Sequence, residues 1–142
     1  MKNYQQHNFG ELSEISQYTF APEGTPINIP GKLFLKEKLG LTSMEVSINK
    51  DVPGTGMNFY HRHKSNEEIY IFIAGKGEMM IDDDRFAIGE GSVVSVKPEA
   101  KRAWWNTGDQ DLYYIVVQAP VNGFKGSSVE DGELIEGTVP WV

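Results

Sequence analysis

The sequence contains no cysteine, which excludes disulfides, thiolate zinc sites and cysteine nucleophiles together. Any metal ion must therefore be held by histidine and carboxylate side chains. Histidine is also scarce, with three residues in 142. Two of them, His61 and His63, are separated by a single residue, whereas His7 stands alone near the N-terminus and is expected to be an ordinary surface residue.

Long apolar runs and basic runs are missing as well. No stretch approaches the roughly twenty apolar residues that a membrane-spanning helix needs, and residues 1–10 lack the apolar core of a signal peptide. The formal net charge of -7 would repel nucleic acid and anionic membrane surfaces. We therefore expect a cytoplasmic protein that binds neither nucleic acid nor membranes.

The composition is that of a folded globular protein, with 39% hydrophobic and 23% charged residues. A chain of 142 residues is long enough for one domain with a substantial core. Residues 1–41 are expected to form an arm, in which residues 31–40 predict a short helix or, by their alternation, a strand. Residues 42–119 form the expected barrel core, and residues 120–142 form a glycine-rich, acidic tail.

Strand signals recur at short intervals after residue 42. Met44, Val46 and Ile48 alternate with polar residues, as in a half-buried strand. Further strands are predicted, with turn residues between them, at about 57–63, 67–73, 77–82, 85–88, 92–97, 102–106 and 111–118. This series of short strands without a long helix predicts an all-β protein with an antiparallel barrel or jelly roll.

The segment around the paired histidines predicts an open metal site. Alternate side chains of an extended strand share a face, so His61 and His63 are expected to point the same way. Glu68 begins the next predicted strand after a polar connection, so its carboxylate can fold back toward the imidazoles. Two nitrogens and one oxygen can hold a divalent ion such as zinc, nickel, manganese or iron. Glu67 is a rival, and which glutamate faces the pocket stays open here.

These residues resemble the first motif of the cupin family, which runs glycine, a spacer, His-x-His, three or four residues, glutamate, six residues and glycine. The matching residues are His61, His63, Glu68 and Gly75. The spacer departs slightly, because Gly56 is one residue too close to His61. The resemblance implies a single antiparallel jelly-roll barrel with an N-terminal arm.

The family's second motif is only partly present. Gly91, Pro98 and Asn106 line up with it, but Ala100 and Arg102 stand where the family has glycine and histidine. The fourth family ligand is therefore absent. Together the two motifs cover roughly residues 42–119, so the resemblance speaks more firmly for the fold than for the chemistry.

Strand alternation also predicts the surroundings of the site. If Glu68 points inward, the same faces carry aromatic side chains inward, and such residues, here Phe59 and Phe72, more often belong to the core than to a binding wall. Tyr70 and Glu67 are the candidate proton carriers. The residues expected to contact a bound molecule are Phe59, Tyr70, Met80, Arg102 and Trp104.

Arg102 leaves two interpretations open. Either it clamps a carboxylate of a substrate bound to the metal ion, or it pairs with Glu68 and no metal binds. A fixed positive charge about 5 Å from a divalent ion costs about 6 kcal/mol at an effective dielectric constant near 20. Even half of that lowers metal affinity by roughly a hundredfold.

Two functional classes follow. The first is a metal-dependent enzyme of the oxygenase, isomerase or decarboxylase type, acting on a small polar acid. The second is a metal-free protein that binds or senses a small molecule. By resemblance to cupins, the N-terminal arm with Ile27 and Ile29 belongs to a contact between two subunits, so we also expect a homodimer.

Overall fold

The computed structural model describes residues 2–141. Most of its regular structure is strand, which confirms the predicted all-β class. The helical elements are a 3₁₀ helix, Leu12–Gln17, and two one-turn α-helices, α1 (Lys36–Leu39) and α2 (Ser128–Asp131). The strands are β1 (Thr19–Phe20), β2 (Ile29–Pro30), β3 (Lys32–Phe34), β4 (Glu45–Asp51), β5 (Asn66–Ala74), β6 (Lys76–Ile81), β7 (Asp84–Gly89), β8 (Val93–Val96), β9 (Arg102–Trp105) and β10 (Leu112–Pro120).

The strands form two principal antiparallel sheets. One sheet has five strands in the order β3-β4-β10-β5-β8, and the other has three in the order β7-β6-β9. Strands β1 and β2 form a separate two-stranded ladder. Within the larger sheet, Ile115 of β10 lies between Ile48 of β4 and Ile71 of β5. This arrangement is the antiparallel jelly roll that the sequence predicted.

The main hydrophobic cluster draws on both sheets. Phe72, Leu112 and Tyr114 come from the five-stranded sheet, and Met79 and Trp104 come from the three-stranded sheet. The two sheets therefore pack face to face, because side chains that alternate along each strand meet in one common interior.

Strand β4 carries polar side chains toward the interior. Ser47, Asn49 and Asp51 are buried on one face of β4. Val46 and Ile48, on the opposite face, pack against the cluster of Ile15, Leu33 and Leu35. The N-terminal segment thus covers the outer apolar face of the large sheet, and the inner face is left free to carry polar groups.

Residues 31–40 contain both alternatives that the sequence allowed. Lys32–Phe34 is β3, an edge strand of the five-stranded sheet paired with β4. The chain then turns through α1, which ends at Gly40 in the left-handed conformation with a φ of 63°. Strand β3, within the expected arm, is therefore an integral part of the large sheet.

The predicted strand at 57–63 is wrong as a continuous strand. The segment meets β9 only through isolated bridges, Gly56 with Trp105 and His61 with Arg102. Residues 58–60 are exposed between these two points. The segment therefore follows the free edge of β9, whose other edge is paired with β6, but pairs with it only at the two ends of that strand.

The chain beyond β10 does not pack on the barrel. Residues 121–141 are exposed throughout, including large apolar side chains such as Phe124, Leu134 and Trp141. Helix α2 begins with a capping box, in which the side chains of Ser127 and Glu130 each accept a hydrogen bond from the other residue's backbone amide. None of the helices within residues 2–141 has the length and apolar character needed to cross a membrane.

We expect Gly75→Ala to lower the free energy of unfolding by clearly more than Gly91→Ala. Gly75 joins β5 to β6 with a φ of +90°, and an added Cβ would lie 2.8 Å from Leu112 Cα and closer still to the Asp111 carbonyl oxygen. Gly91 has a φ of +84° but open space around it, so alanine there costs only the left-handed conformation, about 1–2 kcal/mol. Urea unfolding followed by circular dichroism measures both. Equal losses would contradict the close backbone approach at Gly75.

Candidate functional site

Glu68 is the central residue of the site. It lies on β5 between Gln118 of β10 and Val96 of β8, and only 6% of it is exposed. Because side chains alternate along a strand, Glu68 shares the buried face with Tyr70, while Glu67 is exposed on the other face. The structure thus places Glu68, and not Glu67, in the interior.

The two histidines approach Glu68 from the irregular segment before β5. Backbone hydrogen bonds hold them in place, because the His61 amide donates to Arg102 O at 3.2 Å and the His63 amide donates to Pro98 O at 3.0 Å. The Nε2 atoms of His61 and His63 lie 3.7 Å and 3.3 Å from Glu68 Oε1. One ligand atom from each of the three residues lies within 4.8 Å of the other two.

Two further side chains contact the same carboxylate. The Tyr70 hydroxyl donates a hydrogen bond to Glu68 Oε1 at 2.8 Å, and Arg102 Nη2 lies 3.1 Å from the same oxygen. Arg102 is completely buried, and its Nη1 donates to the carbonyl of Ala100 at 2.6 Å. Its Nε and Nη2 make no aligned hydrogen bond within residues 2–141, so the contact with Glu68 is mainly one between charges.

These contacts set the protonation of the site. Burial opposes ionisation of Glu68, but His61, Tyr70, His63 and Arg102 together lower its pKa to about 2. Burial lowers the pKa of His63, although Glu68 opposes the change. Burial and the nearby Glu68 charge raise the pKa of Tyr70 well above its usual range. At neutral pH the site therefore contains a carboxylate, a neutral His63 imidazole and a protonated phenol.

A cavity of about 250 Å³ opens beside this cluster. Its wall includes all three potential ligands and is otherwise mainly apolar. The Trp104 ring packs against both His61 and Tyr70, at centroid distances of 6.0 Å and 5.1 Å. The other apolar residues of the wall are Phe20, Ile27, Ile29, Phe34, Met57, Phe59 and Val116.

The predicted contact residues are divided between the wall and the interior. Phe59, Tyr70 and Trp104 line the cavity, and Phe59 is 37% exposed. Arg102 and Met80 do not form part of this wall. The guanidinium of Arg102 lies against the carbonyls of Pro98 and Ala100. The placement of Arg102 and Met80 therefore does not support the prediction that they contact a bound molecule, which stays a prediction.

Four polar residues of the wall were not predicted from the sequence: Lys32, Glu45, Ser47 and Gln118. They come from β3, β4 and β10, on the part of the large sheet beside β5. For Lys32 a signal was present, since Lys32 and Phe34 alternate with Leu33 and Leu35 as in a strand. The expectation of an arm over residues 1–41 hid that signal.

The donor set fits a divalent metal ion. Two imidazole nitrogens and a carboxylate oxygen converge at separations near 3 to 4 Å, which neighbouring ligands of one ion commonly have, and the cavity leaves positions open for other ligands. Glu68 is ionised and His63 is neutral, as metal binding requires. His61 Nδ1 is buried and has no hydrogen-bond partner within residues 2–141, so this ring lacks the support that a bound ligand usually has.

Comparison with known proteins confirms the resemblance noted in the sequence. The model of the cupin domain matches residues 50–118. This match identifies residues 50–118 as a cupin domain.

Similar proteins agree with this assignment. A cupin protein of Bacteroides fragilis has a crystal structure that is 29% identical, with a TM-score of 0.77, and the match covers 96% of this chain and 100% of that one. An uncharacterised protein of Methanocaldococcus jannaschii is 28% identical over 85 residues, which are 60% of this chain and 64% of the relative. A predicted oxalate decarboxylase of Thermotoga maritima shares the fold, at 21% identity and a TM-score of 0.56 over 66% of this chain and 80% of that one.

We expect Arg102→Met to lower the free energy of unfolding by about 3–5 kcal/mol, because it leaves the buried Glu68 carboxylate without its guanidinium partner. Arg85→Met is the matched control. Arg85 also contacts a glutamate, Glu78, but its side chain is 70% exposed, so this change should cost far less. Urea unfolding of both variants measures the difference, and similar losses would contradict a structural pair at Glu68.

Proposed function

We propose that the cavity binds a small polar or anionic molecule beside a divalent metal ion held by His61, His63 and Glu68. The observation that supports this most directly is the convergence of three ligand atoms, within 4.8 Å of one another, at the wall of a cavity. A bound ion would supply Lewis acidity toward an oxygen of the substrate. The proposed activity class is therefore a metal-dependent enzyme of the oxygenase, isomerase or decarboxylase type.

The neighbouring residues have defined tasks in this proposal. The Tyr70 hydroxyl donates a hydrogen bond to Glu68 and so orients the carboxylate toward the imidazoles. Because its pKa is raised, Tyr70 is a steady hydrogen-bond donor at neutral pH and not a base. Trp104 is itself fixed by a hydrogen bond of 2.7 Å from Nε1 to Tyr114 Oη, and its ring covers one side of His61.

A second candidate is a metal-free protein that binds or senses a small molecule. The contact between Arg102 and Glu68 favours it, because a fully buried guanidinium already neutralises the carboxylate that a metal ion would need. The cavity and its aromatic wall would then serve binding alone. The homodimer and the cytoplasmic location expected from the sequence stay predictions alongside both candidates.

The first experiment measures metal content and affinity. Protein purified without a histidine tag or added metal is submitted to elemental analysis, and the metal-stripped protein is titrated with zinc, nickel, manganese and ferrous iron by calorimetry. We expect binding of one ion per chain, lost in His63→Ala because one of three ligands is removed. His7→Ala is the matched control, since His7 is exposed and stacks only on Phe9. Absence of binding by every ion to the wild-type chain would refute the metal site.

Arg102→His separates the two candidates. If the site holds a metal ion, the change removes a positive charge and adds a nitrogen donor, so metal affinity should rise by at least about a hundredfold, half of the repulsion estimated above. If Arg102 serves only as the partner of Glu68, the melting temperature should fall while metal affinity stays unchanged. Calorimetric titration and thermal melts of both proteins distinguish these outcomes.

A further inference from the structure

Lys32 is a cation in the wall of the same cavity that no part of the proposed metal site uses. It is a partly buried residue of β3, and its side chain lines the cavity together with Phe34. Its ammonium group donates one hydrogen bond, to Asn49 Oδ1 at 2.8 Å, and lies 5.2 Å from the centroid of the Phe34 ring. Among the ion pairs of residues 2–141, none involves Lys32.

Three carboxylates attract Lys32, and each is engaged elsewhere. Asp51 accepts a hydrogen bond from the Tyr114 hydroxyl at 2.9 Å. Glu45 accepts from the backbone amides of residues 35, 36 and 46. Glu68 contacts Tyr70, Arg102 and the histidines. Lys32 therefore has attraction from a distance but no ionic partner, although an ammonium group has three donors and such groups are normally paired when buried.

The surroundings of Lys32 indicate which kind of molecule could pair with its ammonium group. The cavity connects Lys32 with the histidine cluster, and the wall between these polar groups is mainly apolar and aromatic. Its volume of about 250 Å³ is below the roughly 300–1,000 Å³ of pockets for drug-sized ligands, so the occupant is a small molecule. A lysine is a point charge that suits carboxylate and phosphate groups alike.

We propose that Lys32 is the anion-binding residue of the cavity, and that the ligand is a small molecule with one carboxylate or phosphate group on an apolar body. This inference rests on the proposed function of the cavity as a small-molecule site, but it does not require the metal ion. It assigns to Lys32 the electrostatic selection of the ligand that the sequence had suggested for Arg102.

The protonation of Lys32 agrees with this role. Burial lowers its pKa to about 8, while Asp51, Glu68 and Glu45 oppose the change. At pH 7 the amine is therefore still mostly charged, and it loses its charge as the pH rises through 8. Binding of an anion should accordingly weaken between pH 7 and pH 9, because the ammonium group loses its charge over that range.

The test compares Lys32→Met with Lys38→Met by calorimetry, in protein treated with a chelator. Lys38 is an exposed lysine of α1 outside this cavity, so it is the matched control for the loss of one positive charge. The probes are phenylacetate, phenyl phosphate, acetate and the neutral phenylacetamide. We expect phenylacetate or phenyl phosphate to bind the wild-type and Lys38→Met proteins equally, and Lys32→Met at least tenfold more weakly.

The four probes identify the ligand chemistry. Whichever of phenylacetate and phenyl phosphate binds more tightly shows whether the carboxylate or the phosphate is preferred. Phenylacetamide carries no charge, so its affinity should be the same for the wild-type, Lys32→Met and Lys38→Met proteins. Acetate should bind more weakly than phenylacetate because it lacks the apolar body. Equal affinity of the wild-type and Lys32→Met proteins for the anions, or no binding of any anion to the wild-type protein, would overturn the proposal.

Two further measurements separate this inference from a structural role and from the metal proposal. Lys32→Met also removes the donor to the buried Asn49 Oδ1, so its melting temperature should fall in either case, but only a purely structural lysine would leave the anion affinity unchanged. Metal titration of Lys32→Met should retain binding. Anion binding without metal binding would refute only the metal site, and metal binding with anion affinity independent of Lys32 would refute only this inference.

Discussion

The buried carboxylate of Glu68 is the interaction on which the centre of the molecule depends. Tyr70, Arg102, His61 and His63 all approach its Oε1 atom, from three different parts of the chain. An ionised carboxylate away from water is tolerated only when donors and charges surround it, so these elements are bound to a common geometry. The same contacts that stabilise the charge also bring two imidazole nitrogens close to it. The residues that the buried carboxylate requires are therefore also the residues of the candidate metal site.

The polar lining of the large sheet depends in turn on the N-terminal segment. In most half-buried strands the apolar face points to the core, but in β4 the apolar face lies beneath Ile15 and Leu33. Its other face is then free to carry Ser47, Asn49 and Asp51 into the interior. There Asn49 donates hydrogen bonds to the Ser47 hydroxyl and the Tyr114 carbonyl, and the Tyr114 hydroxyl donates to Asp51. Polar side chains can lie inside this small barrel because a second hydrophobic layer covers the outer face of the sheet.

The sequence predicted the parts of the fold that follow from local periodicity. Alternation along β5 correctly indicated that Glu68 and Tyr70 share a face, and the motif spacing correctly indicated the cupin fold. The prediction failed where the structure of a segment depends on pairing with a distant strand. The segment at 57–63 is an example, because it meets β9 only at isolated bridges. Lys32 was missed for the same reason, because only its pairing with β4 places an N-terminal residue in the cavity wall.

Part of the cavity wall comes from the N-terminal segment of the chain, far in sequence from the histidines. Ile27 and Ile29 line the cavity, yet they lie more than thirty residues before His61, whereas the backbone carbonyls that hold the histidines belong to residues 98 and 102. The shape of the cavity and the polar cluster of Glu68 are thus encoded in separate stretches of the chain. Substitutions near residue 27 can reshape the cavity while the arrangement of Glu68 and the two histidines is retained, so the wall of one barrel can diverge through changes in a short peripheral segment.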